Sequence, residues 1–160
     1  RDRHADADRL MITITIHGRP PTYRRARSNG ARRHHDKRTI ADRERIAIAV
    51  LDIGDCPPGA LAVTITAIWP AAAERSKVRK GQDRPVIVEW RAMDPDADNV
   101  AKGVLDGLQA AGWLDEDNRV VLLTASTITS NQHGAGCTLV TVSSDLPACG
   151  VALYAAMEKP

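Results

Sequence analysis

The chain has 160 residues, a formal net charge of +2 at pH 7, 43% hydrophobic residues, 3% aromatics and no phenylalanine. That composition suits one domain with an aliphatic core and argues against an aromatic base-stacking platform for single strands. No apolar run approaches the roughly 18 residues of a membrane span, and Arg1–Arg9 lacks the apolar centre of a signal peptide. Cys56, Cys137 and Cys149 show no metal-ligand spacing and read as reduced thiols of a cytoplasmic protein.

In chain order, residues 1–10 read as a leader or disordered extension, 11–145 as the folded domain and 146–160 as a C-terminal tail. Met11–Ile16 alternates Ile with Thr, the period-2 signature of a half-buried strand. Gly18–Arg19–Pro20–Pro21 ends it, and a basic loop runs from Thr22 to Arg38 with Ser28–Asn29–Gly30 as a turn signal. Thr39 is expected to cap a helix through about Leu51, with Ile40, Ala47, Val50 and Leu51 on or near its buried side. Leu61–Trp69 predicts a strand with Leu61, Val63, Ile65, Ala67 and Trp69 on one face. Ala71–Arg84 is a polar, basic insertion, and Val86–Arg91 a short apolar stretch. Asp98 or Asn99 is expected to cap a second helix through Ala111, with Val100, Ala101, Val104, Leu105, Leu108 and Ala111 at helical spacing and Gly112 as the C′ residue. Arg119–Ile128 and Thr138–Ser143 predict two more strands, joined by the turn Asn131–Gly136. The pattern is an α+β domain, a small mixed sheet packed with helices.

Charge is unevenly spread. Basic residues crowd 19–45, including Arg24, Arg25, Arg27, Arg32 and Arg33, and a second run holds Lys77, Arg79 and Lys80. Acidic residues gather between Asp94 and Asp117. Basic stretches around an acidic centre suit a polyanion held while a metal acts on it, although solvated loops would read the same way.

The acidic centre carries the chemistry. Asp96 and Asp98, two apart in an extended approach, can point the same way. Lys102 lies about one helical turn beyond Asp98, with Asp106 a turn further. After Gly112 the chain can return, which would bring Asp115–Asp117 back towards the helix. Hard oxygen ligands beside one lysine suit Mg²⁺ or Mn²⁺ and a phosphate oxygen, the ion activating water and the lysine stabilising charge on the transition state. Taken singly, each aspartate reads equally as a helix cap or a solvated loop residue, and Lys102 with Asp106 as a surface pair. An EF-hand reading fails, because Asn99 stands where the loop needs Gly and Leu105 where it needs a bidentate Glu.

Asp96–Ala–Asp98–Asn99–x–x–Lys102–x–x–x–Asp106–x–Leu108, continued by Gly112–Trp113–Leu114 and Glu116–Asp117–x–x–Val120, resembles the signature of the RusA family of Holliday-junction resolvases. The strand followed by Gly18–Arg19–Pro20–Pro21, a basic loop and a helix is similar to the family's N-terminal part, so the likeness covers roughly 11–143. The resemblance implies a RusA-like homodimeric fold and a Mg²⁺-dependent endodeoxyribonuclease of bacterial or phage origin that cuts four-way DNA in recombination and repair. It implies Asp96, Asp98 and Asp117 as metal ligands and Lys102 as the catalytic lysine. It also implies that Arg24, Arg25, Arg27, Arg32, Arg33, Lys77, Arg79 and Lys80 bind the DNA arms. The family's usual Asp-Asp pair is here Glu116–Asp117 preceded by Asp115, so the third carboxylate is open among the three, with the count back from Val120 favouring Asp117. Two other readings stand beside it: a catalytically inactive junction-binding protein, and a metal nuclease preferring flaps or single strands.

Overall fold

The computed structural model describes residues 11–23, 36–71 and 86–146, with the backbone alone of 27–29 and 32–34. The 1–10 extension, residues 72–85 and the tail from 147 onward lie outside the described residues. The elements are β1 (Met11–His17), β2 (Arg27–Asn29), β3 (Arg32–His34), α1 (Lys37–Val50), β4 (Leu61–Pro70), β5 (Val88–Trp90), α2 (Ala97–Ala110), a 3-10 turn (Asp117–Arg119), β6 (Val120–Ser130) and β7 (Cys137–Ser143). Five strands form a mixed sheet in the order β1-β7-β4-β6-β5, in which only β4 and β6 run parallel. The α+β expectation is borne out.

The alternating strands build one buried face. Ile14 and Ile16 of β1, Leu61, Val63, Ile65, Ala67 and Trp69 of β4, and Val140 and Val142 of β7 are all buried there. The β4 face is the one its period-2 pattern predicts. Helix α2 lays Val100, Ala101, Val104 and Leu108 on this layer, and α1 adds Ile46 and Val50. The opposite face carries Met11, Val88, Leu122 and Trp90, the last 81% exposed.

Parallel strands cannot be joined by a tight turn, so the chain from β4 to β6 must cross over. That crossover contains β5, α2 and the 3-10 turn. The entire acidic segment therefore lies on one connection, stretched along the length of the sheet.

Three local expectations need correction. Helix α1 starts at Lys37, not after Thr39, because the Asp36 carboxylate accepts from Arg38 N at 3.1 Å and caps it. Its buried residues are Ile46 and Val50, one turn apart, whereas Ile40 and Leu51 are exposed because they fall about 100–120° off that stripe. Helix α2 is entered through Asp96 as N-cap, so Asp98 lies inside the first turn rather than preceding it. In the basic loop, β2 and β3 pair antiparallel with Asn29 opposite Arg32.

Candidate active site

The site forms where α2 begins. Asp96 has an extended ψ of 170°, and its carbonyl accepts from Val100 N at 3.2 Å, which opens the helix. Its carboxylate is left free of capping and accepts instead from the Asn99 side-chain amide. That bond, and after it the neighbouring Asp98, holds the Asp96 carboxyl below the usual carboxylate range. Asp96 and Asp98 are both exposed, side by side at a helix N-terminus, where the positive end of the helix favours negative charge.

Two anchors fix this segment. Arg91 N donates to Thr127 O at 2.9 Å, and Thr127 Oγ1 donates back to Arg91 O at 2.8 Å, tying the approach to β6. Arg91 Nη2 then donates to Asp94 O at 2.8 Å, holding the bend just before Asp96.

Lys102 is exposed one turn into α2, with its ammonium 4.6 Å from the ring centroid of Tyr23. Tyr23 is itself docked on the helix, since its N–H donates to Asn99 O at 2.9 Å. Backbone lies on backbone here: a Cβ at Gly103 would stand 2.8 Å from Thr22 C and Tyr23 N. Gly103 is what permits the approach. Asn99 thus serves both sides, positioning Asp96 with its side chain and Tyr23 with its carbonyl.

The acidic loop returns against the C-terminal end of α2, where Trp113 N and Leu114 N donate to Leu108 O at 3.1 and 3.2 Å, and not against the start of the helix. Helix α2 has 14 residues, a length of about 21 Å, and the 3-10 turn follows its far end. Gly112, at φ +70°, reverses the chain, buried Leu114 anchors it, and Arg119 ties it to the segment before β4 through Gly59 O at 2.9 Å and Pro57 O. Asp115 is paired with Arg119, which holds its carboxyl below the usual range, and Glu116 accepts from Asn118 Nδ2 at 2.7 Å. Asp117 is exposed and, of the three, is the carboxylate with no side-chain partner among the described residues. Among the described residues no three acidic, His or Cys side chains stand together as a ready metal cage. The structure therefore joins Asp96, Asp98 and Lys102 and leaves Asp117 at the opposite end of α2. A pair of exposed carboxylates still fits a hard divalent cation, which commonly keeps several waters and takes one or two protein carboxylates.

The side chains expected to bind DNA, Arg24, Arg25, Arg27, Arg32, Arg33, Lys77, Arg79 and Lys80, lie outside the described residues. Tyr23, Asn99 and Arg91 are site residues that spacing did not single out. Only Asn99 left a signal, as the residue after the second aspartate.

The family model described as Endodeoxyribonuclease RusA matches residues 17–140. No curated protein matches the chain. The matched span takes in the docked Tyr23 segment, α2 and the return turn.

Proposed function

The chain belongs to the RusA endodeoxyribonuclease family, the Holliday-junction resolvases, and from that premise we propose that it resolves four-way DNA by Mg²⁺-dependent hydrolysis in recombination and repair. The observation that supports this reading most is the start of α2, where two exposed carboxylates and a lysine held by an aromatic ring share one helical turn and a half. Asp96 and Asp98 would hold Mg²⁺ or Mn²⁺, which when bound supplies charge neutralisation and water activation for phosphodiester hydrolysis. Asn99 keeps Asp96 turned outward and ionised. Lys102, fixed over Tyr23, offers positive charge to the negative charge that develops on the phosphoryl oxygens.

Asp117 enters this reading as the third ligand, contributed by a second copy of the chain. Its place beyond the far end of α2 favours a site on a second copy over its own protomer's pair, and Asp115 and Glu116 are already engaged. The homodimer then completes each site, and two sites related by a two-fold axis suit paired nicks in a four-way junction. The face of the sheet turned away from α1 and α2, with exposed Trp90 and Val88, offers apolar surface for such association.

Initial rates on a four-way junction, a flap and a linear duplex, in Mg²⁺ and in EDTA, test the proposal. A clear preference for the junction, abolished by EDTA, is expected. Preference for the flap or for single strands would replace the substrate, and binding without cleavage would leave an architectural role.

A further inference from the structure

Resting on the nuclease reading, we infer that Arg19 and Arg91, stacked on Trp69, form a seat for a DNA backbone phosphate flanking the one that is cut. The Arg19 guanidinium carbon is 5.1 Å and that of Arg91 4.7 Å from the Trp69 ring centroid, so two like charges share one indole. Each is attracted by the ring and repelled by the other. Among the described residues neither has a carboxylate partner. Among the described residues Arg91 Nε and Trp69 Nε1 are buried without an acceptor and closed to a ligand, while Arg19 is exposed and Arg91 half-buried. Arginine and tryptophan side chains donate only. What the cluster presents to the crevices is therefore the two guanidinium groups, positive and donor-only, which suit an acceptor-only anion such as a phosphodiester.

Both arginines stand on fixed backbone. Gly18 adopts φ +89°, its N–H donates to Gly136 O at 3.0 Å, and Arg45 donates to the carbonyls of His17 and Arg19 at 2.6 and 2.8 Å. Arg91 is pinned to β6 through Thr127. Such anchoring lowers the ordering cost when an anion arrives. Position selects the anion. Arg91 lines a crevice with Asp94 and Asp96, and Arg19 lines the adjoining one with Asp94 and Asn99. A DNA strand presented to Asp96 and Asp98 meets carboxylates that repel it, and its neighbouring phosphate would lie on the cationic side of the same crevice.

The test is equilibrium binding of a fluorescent four-way junction in EDTA, across a salt series, for the wild type, Arg19→Gln, Arg91→Lys and Arg19→Gln/Arg91→Gln. Arg19 is exposed and, beyond its stack on Trp69, its side chain makes no hydrogen bond or ion pair among the described residues, so its variant chiefly removes charge. The dependence of log Kd on log salt should flatten by about one for the double variant, which loses one phosphate contact, by part of that for Arg19→Gln, and be kept by Arg91→Lys. Unchanged slopes in the double variant, with the wild type binding and cleaving in Mg²⁺, would overturn the seat and leave the nuclease reading intact. A wild type that neither binds nor cleaves the junction would overturn both.

Discussion

The Lys102 ammonium stands 4.6 Å from the Tyr23 ring centroid, and the same tyrosine donates its backbone N–H to Asn99 within the same helix. The basic hairpin that follows Tyr23 is therefore rooted beside the carboxylate pair. A cation over an aromatic face gains about 0.5–1 kcal/mol when exposed and about 2 when desolvated. Tyr23→Leu should lower the cleavage rate by several-fold while junction binding stays constant, and Tyr23→Phe should restore it. Lys102→Met should cost on the order of 10²-fold. Single-turnover cleavage by the two single variants and by Tyr23→Leu/Lys102→Met checks this: the tyrosine's effect should vanish once the lysine is gone.

The two glycines of α2 face different neighbours. A Cβ at Gly103 meets backbone at 2.8 Å, whereas one at Gly107 meets the Ile46 Cδ1 tip at 2.2 Å. Overpacking costs typically about 1–3 kcal/mol, and replacing a helical Gly by Ala returns up to about 1. Gly107→Ala should be the milder change, since an isoleucine tip can rotate. Gly103→Ala should also depress cleavage, because it pushes Tyr23 off the helix. Urea unfolding and junction cleavage on both variants distinguish the two cases.

Much of this was legible in the residues. The β4 face from Leu61 to Trp69 and the α2 stripe from Val100 to Leu108 follow from their periods alone, because a sheet face and a helix stripe each bury one side. The start of α1 is not legible in this way, since Thr39 and Asp36 are both competent caps and it is the Asp36 carboxylate that takes the Arg38 N–H. Asp96, Asp98 and Lys102 were legible because local helical geometry brings them together. The place of Asp117 was not, because it depends on the whole crossover between two parallel strands. Nor was the Arg19–Trp69–Arg91 stack, whose members come from three distant segments.

The separation of Asp117 from the aspartate pair makes a prediction about mixing. Asp98→Asn and Asp117→Asn should each be inactive as homodimers. In a heterodimer of the two, one site has both defects and the other has neither. Mixed after denaturation and refolding together, the two variants should recover single-strand nicking of the junction. No recovery would place all three carboxylates in one subunit's site. Asp115→Asn, by contrast, removes an ion pair with Arg119 on an exposed turn and should leave cleavage within a few-fold of the wild type.

If the carboxylates opening α2 hold the metal that drives cleavage, loss of one should abolish cleavage and spare binding. The most direct test is cleavage of a four-way junction in Mg²⁺ by Asp98→Asn, set beside its equilibrium binding to the same junction in EDTA. The expected result is wild-type binding with no detectable cleavage, because a ligand is lost while the basic surface is kept. Cleavage at the wild-type rate would rule out Asp98 as a metal ligand.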